Sequence, residues 1–162
     1  MRAPEGARLP DELREVLARA IHESYRADQA ERKAADDLAL ADWDELPEHL
    51  RDSSRDQAAH IFEKLRALGY TVHEAGNGRA EPISFTPEEV EPLAVMEHDR
   101  FVAERRAAGW RLGPERDVAA KVTPYLVSWD DLPEHVREWD RAPVRRIPEL
   151  LAAVGLEVRR RE

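Results

Sequence analysis

The chain states one segment twice. Trp43-Asp44-Glu45-Leu46-Pro47-Glu48-His49-Leu50-Arg51 recurs 86 positions later as Trp129-Asp130-Asp131-Leu132-Pro133-Glu134-His135-Val136-Arg137. The register then holds without a gap through Arg55/Arg141, Ile61/Ile147, Glu63/Glu149, Leu65/Leu151, Gly69/Gly155 and Val72/Val158. Two copies of one supersecondary unit bury against each other the faces that neither can bury alone, so the duplication constrains the fold to a pair of like units sharing a core. A pocket at such a seam receives equivalent groups from both halves. With 162 residues the chain has the length for one domain of this kind.

Helical periodicity fills most of each copy. Residues 1–9 carry Pro, Gly and charge without a period and read as a loose lead-in. From Pro10 onward Leu13, Leu17, Ala20, Ile21 and Ser24 mark one side of a helix that nothing breaks before about Asp36. After the Trp43–Pro47 loop, Ser53 or Ser54 is a candidate cap for a second helix that stops at Gly69. Tyr70 to Ala75 alternates as a short strand, Gly76-Asn77-Gly78 signals a turn, and Glu81 to Phe85 is expected to return as its partner. Thr86-Pro87-Glu88-Glu89 starts the long helix of the second copy, with a restart expected at Pro92 and an end at Gly109. Trp110 to Pro124 reads as an irregular loop, Val144 to Val154 as a final helix and Val158 as part of a terminal strand. The expected architecture is mainly α: two tandem, pseudo-twofold-related helical repeats with short β-strands and a hairpin. Repeat 1 spans 10–75, a hairpin linker 76–87 and repeat 2 88–162, together one compact domain.

Several function classes drop out on residue usage. The absence of cysteine removes disulfides, thiolate metal sites and a cysteine nucleophile. A net charge of −9 repels a phosphate backbone, and the one basic run, Arg159-Arg160-Arg161, reads as a solvated end, so no nucleic-acid partner is expected. No apolar run approaches the roughly 18 residues that span a bilayer, and Met1 to Pro10 lacks the apolar stretch of a signal peptide, so the chain reads as cytoplasmic with no membrane partner. The histidines show no metal-ligand spacing, and no phosphate-binding loop, nucleophile elbow or serine with a base partner is present. Neither a metal nor a catalytic set is expected, and the chain reads as a non-enzyme.

What remains is a pair of stripes. On the long helix of each copy a histidine precedes a ring by three positions: His22 with Tyr25, and His98 with Phe101. One helical face lines up Ala94, His98, Phe101 and Arg105, and the other copy lines up Ala18, His22, Tyr25 and Gln29. Two readings stand. The rings are interface core, the histidines bond nearby carbonyls and Arg105 is solvated; or the two rings clamp a planar heterocycle. These pairs lie 76 apart rather than 86, so the second copy holds ten extra residues, the Trp110 loop, where Arg116 and Lys121 make a pair of cations fit to grip an anion. Against that, Arg116 could pair with Asp117 or Glu115. Trp43 and Trp129 read as packing anchors of their copies.

The second copy resembles a known family. Glu97-His98-x-x-Phe101, Gly109-Trp110-x-x-Gly113-Pro114-x-Arg116-Asp117, Lys121-x-x-Pro124-x-Leu126-Val127 and Leu132-Pro133-Glu134, in that order, are similar to the ryanodine receptor repeat, or RyR domain. The first copy looks like a divergent member that keeps His22, Tyr25 and Leu46-Pro47-Glu48 and lacks the Gly-Trp loop. That family occurs in pairs in animal calcium-release channels and as stand-alone or fused domains in bacteria, and its paired repeats hold adenine nucleotides and related planar compounds in the cleft between copies. The resemblance places the stacking positions on Tyr25 and Phe101, the helix histidines on His22 and His98, the phosphate-side arginines on Arg105 and Arg116, and a polar pair on Ser54 and Asp140. It departs from the family in its smaller rings and in the carboxylate at Asp140. The resulting expectation is a non-enzymatic ligand sensor for an adenine-nucleotide-like or ADP-ribose-like molecule, with no resident cofactor and with a fused or associated effector or channel protein as partner. The alternative is a protein-interaction or scaffold domain of a larger assembly, which a seam packed shut would favour.

Overall fold

The computed structural model describes residues 10–30, 37–76 and 81–161. Each copy is a helical hairpin closed by a strand. In the first, α1 (Asp11–Gln29) leads through a 3-10 turn at Leu38–Leu40 to α2 (Glu48–Ala67) and β1 (Thr71–Glu74). In the second, α3 (Pro87–Ala107) is followed by β2 (Arg111–Leu112), β3 (Val122–Thr123), a 3-10 turn at Trp129–Asp131, α4 (Glu134–Arg145), α5 (Ile147–Ala153) and β4 (Leu156–Arg159). The molecule is mainly α with two small two-stranded sheets. α1 packs on α2, α3 on α4, and the copies meet where α2 lies against α3 and α1 against α4 and α5. Leu17, Ala18, Leu46, Ala58, Ile61, Leu65, Trp110, Leu126, Ile147 and Leu151 form one core drawn from both copies.

The strand that closes the fold comes from the other copy. β1 pairs antiparallel with β4, in the register Thr71↔Arg159 and Val72↔Val158, so the expected hairpin with Glu81 to Phe85 does not form. Those residues carry no strand, and Pro82 has no N–H to give a ladder. The turn residues Asn77 and Gly78 lie outside the described residues, as do the lead-in 1–9 and the end of the first helix beyond Ala30. The turns that lead into β1 and β4 each use a glycine in the left-handed region, Gly69 at φ +80° and Gly155 at φ +82°.

Four further expectations change. α2 starts directly after Pro47, so Ser53 and Ser54 lie inside the helix rather than at its cap. α3 runs unbroken through Pro92: Thr86 Oγ1 accepts from Glu89 N at 3.2 Å and Glu89 Oε1 from Thr86 N at 2.9 Å, and one missing bond in the second turn is tolerated behind that capping box. The final helix, expected over Val144 to Val154, is α5 over Ile147–Ala153, and a further helix, α4, precedes it and meets it at Arg146. The physical reason is visible against α2, which is continuous: Pro143 and Pro148 stand where the first copy has Gln57 and Phe62, and each removes a helical donor. Finally, Arg160 is not a solvated end, since it donates to Glu89 and to the Ser84 carbonyl at 2.8 Å.

Candidate functional site

The two histidine-ring stripes build the same geometry twice. His22 Nε2 donates to the Ala41 carbonyl at 2.7 Å, and its ring lies 6.4 Å from Tyr25 at 23° and 6.0 Å from Trp43 at 55°. His98 Nε2 donates to the Val127 carbonyl at 2.6 Å, and its ring lies 6.1 Å from Phe101 at 25° and 6.2 Å from Trp129 at 56°. Behind each tryptophan sits an arginine, Arg55 at 5.5 Å and Arg141 at 5.6 Å from the ring centroid. Arg55 is held by Glu15, Glu48 and Asp52, and Arg141 by the equivalent Glu91, Glu134 and Glu138. Each histidine is therefore locked in orientation by a carbonyl on one side and a tryptophan on the other, which fixes the neighbouring ring.

Between the copies lies a cavity of about 980 Å³. His22, Tyr25 and Ser54 from the first copy and His98, Phe101, Arg105, Arg116 and Asp140 from the second all line it. Eight positions from two stripes, one loop and the equivalent helices α2 and α4 thus converge on one space. Burial raises the Tyr25 phenol above its ordinary value against the pull of Arg116. Ser54 and Asp140 are twins under the repeat and break its symmetry: Asp140 Oδ2 lies 3.5 Å from His98 Nδ1. Burial by itself lowers the His98 pKa, but the Asp140 hydrogen bond, the Val127 carbonyl and the Asp140 charge outweigh it and hold His98 above its ordinary value. Burial pushes the Asp140 carboxyl up, against the pull of His98.

The three cations, Arg105, Arg116 and Lys121, are each engaged. Arg105 is neither solvated nor free-standing: its guanidinium lies 5.0 Å from both the Phe101 and Trp110 ring centroids, and Nη1 donates to Ser53 at 3.0 Å and to Glu104 at 2.8 Å. Burial lowers its pKa from the ordinary arginine value. Arg116 reaches neither Asp117 nor Glu115 but grips Asp37 of the first copy through Nη1 and Nη2. Lys121 does not join it. Its Nζ donates to the Ala108 carbonyl at 2.9 Å, closing the end of α3, and it is absent from the cavity wall. A further pair, Arg146 with Asp28, bridges the copies at the cavity rim.

One seam of the cavity carries a buried ionic network and the other does not. Lys64 and Glu97, 1 % and 5 % exposed, bond at 2.8 Å, and Glu97 also takes two bonds from Arg100, which reaches on to Asp56 at 2.8 Å. Burial opposes ionisation of Glu97, yet Arg100 and Lys64 hold its carboxyl down at about 2. The equivalents of Lys64, Glu97, Arg100 and Asp56 across the local twofold are Leu150, Ile21, Ser24 and Ala142, all four on the cavity wall. A signal for this network was present, because Lys64 interrupts the stripe Ala58, Ile61, Leu65 and Glu97 the stripe Val90, Leu93, Ala94.

Among the described residues no group of three or more His, Asp or Glu side chains is arranged to hold a metal ion, and no helix is long and apolar enough to cross a membrane. A helical tandem repeat with a ring-lined cavity at its seam is the class that this geometry defines. Residues 86–160, the second copy, match the RyR domain family. The first copy lies outside the matched segment. No curated protein matches the chain.

Proposed function

We propose that the protein is a non-enzymatic ligand-binding module that holds a planar, nucleotide-like small molecule in the cavity between its two repeats. The observation that carries this reading is the convergence of Tyr25, Phe101, both stripe histidines, Arg105 and Arg116 on one 980 Å³ space at the seam, a volume suited to a ligand of nucleotide size. The rings supply flat apolar faces, each stacking contact worth on the order of 1–3 kcal/mol, and guanidinium groups supply donors for phosphate oxygens. The RyR resemblance implies an adenine nucleotide, and the calorimetry below sets it beside other nucleotides. A scaffold role for the seam is less well supported, since a seam packed shut would leave no such volume. The module would report its occupancy to a fused or associated effector protein.

Titration calorimetry of the full chain with AMP, ADP, ATP, GMP, ADP-ribose and cyclic nucleotides tests the reading. Saturable heat from at least one of them, lost in Phe101→Ala, is the expected result. Absence of heat from all of them at millimolar concentration, in wild type and in Phe101→Trp, removes it.

A further inference from the structure

The cavity has a polarity that the repeat alone would not give it. On the second-copy wall the order is carboxylate, imidazole, ring, cation: Asp140 Oδ2 lies 3.5 Å from His98 Nδ1, His98 lies 6.1 Å from Phe101, and Arg105 lies 5.0 Å from Phe101 on the Trp110 side. The first copy offers Ser54 and Gln29 at the equivalent ends. A flat ligand lying against Phe101 with its anionic group toward Arg105 therefore turns its opposite edge toward Asp140.

Asp140 can take only one kind of edge. His98 Nε2 donates its proton to the Val127 carbonyl, so Nδ1 is the ring atom that faces Asp140 Oδ2, 3.5 Å away, and a proton on Nδ1 keeps two lone pairs from facing each other. The other carboxylate oxygen has no hydrogen-bond partner among the described residues, and the side chain, 17 % exposed, lines the cavity. An ionised carboxylate accepts and does not donate. A guanine-type edge presents two adjacent N–H donors to it. The adenine edge presents an N–H₂ next to a ring nitrogen lone pair, and that lone pair is repelled by the second oxygen. An amide, which donates and accepts, is the group that matches adenine.

We propose that Asp140 determines base specificity in this cavity, selecting a planar ligand whose edge carries two adjacent N–H donors, of the guanine type, over adenine. This rests on the reading that a nucleotide-like ligand occupies the seam. The test is calorimetry of the full chain with GMP, AMP and 2′,3′-dideoxyguanosine monophosphate, in wild type and in Asp140→Asn. Wild type is expected to bind GMP at least tenfold more tightly than AMP, with the dideoxy compound close to GMP, and Asp140→Asn to erase or invert the preference. AMP binding as tightly as GMP in wild type overturns the assignment while leaving a nucleotide-binding seam intact. Loss of affinity on removing the ribose hydroxyls, with no effect of the base, overturns it too, because Asp140 would then be holding the sugar. Absence of binding by any of the three overturns it together with the reading it rests on. If Asp140→Asn fails to fold, as judged by thermal melting, the wild-type ratio decides alone.

Discussion

Val72 and Val158, equivalent residues of the two copies, are each other's cross-strand partner. A residue facing its own twin across an antiparallel pair marks the local twofold axis, so the axis passes between these two side chains. Both are buried, at 8 % and 4 % exposure. The same axis relates His22 to His98 and Arg55 to Arg141, and it places the cavity symmetrically between α1–α2 and α3–α4.

If the axis runs there, Val72→Ala and Val158→Ala remove like groups from like surroundings. Each is expected to cost about 2 kcal/mol. The two valines contact each other, so the double variant should cost less than the sum by on the order of 0.5 kcal/mol or more. Urea denaturation of the four proteins measures this; strict additivity would mean that the strands contribute independently.

The ionic seam can be replaced by what the opposite seam already uses. Substituting Lys64→Leu, Glu97→Ile, Arg100→Ser and Asp56→Ala together copies Leu150, Ile21, Ser24 and Ala142 onto the α2–α3 contact. Replacing a buried ion network by apolar groups is often neutral or stabilising, whereas Glu97→Ala alone strands two buried cations at a cost of roughly 3–5 kcal/mol. The fourfold variant is expected to unfold within about 2 kcal/mol of wild type, on the same apolar-replacement argument. A fourfold variant as unstable as Glu97→Ala would show that the network shapes the seam and does not merely fill it.

Gly155 sits at φ +82° with open space where a Cβ would be. Gly155→Ala therefore meets no clash, and its expected cost is the backbone term alone, roughly 1–2 kcal/mol. A thermal melt suffices to measure it.

Much of this molecule was legible in its sequence because duplication is a long-range signal that needs no physics beyond register. The repeat, the helical stripes, and the convergence of His22, Tyr25, His98 and Phe101 follow from it. What local patterning could not supply is which distant groups meet. Tyr70 to Ala75 reads as a strand, but the choice of β4 over Glu81–Phe85 is made by the twofold, against a nearer segment that Pro82 weakens. Arg116 has acidic neighbours at positions 115 and 117 and still finds Asp37, because the loop turns its side chain into the seam. Lys121, at φ +57°, turns back to cap α3. The break between α4 and α5 is readable from Pro143 and Pro148, which stand where the first copy has Gln57 and Phe62.

Phe101 is only half-buried, with Arg105 and His98 against it. Truncating a fully buried phenylalanine costs about 3–5 kcal/mol. Phe101→Ala is expected to fall below that range while losing nucleotide binding, as a ring built for a guest requires. A loss of stability at the full core value, with binding unchanged, would assign Phe101 to packing. Urea titration beside calorimetry separates the two outcomes.

Acid should act through Glu97. Its carboxyl is held at about 2 in the folded protein against 4.5 as the reference value. A group whose folded pKa is depressed stabilises the fold fully above the unfolded value and loses that contribution as pH falls through the folded one. The loss therefore runs from about pH 4.5 down to about pH 2, and a shift of this size corresponds to something on the order of 3 kcal/mol. Other carboxylates held low by arginines, among them Glu15, Glu48, Glu89, Glu134 and Glu138, add to acid unfolding as well. They are common to wild type and to the fourfold seam variant, so they cancel in the difference. Urea midpoints of the two proteins at pH 7, 5, 4, 3 and 2.5 should keep a constant gap down to about pH 5, below which wild type loses ground to the variant. A gap that stays constant to pH 2.5 would mean that Glu97 draws no net stabilisation from Lys64 and Arg100.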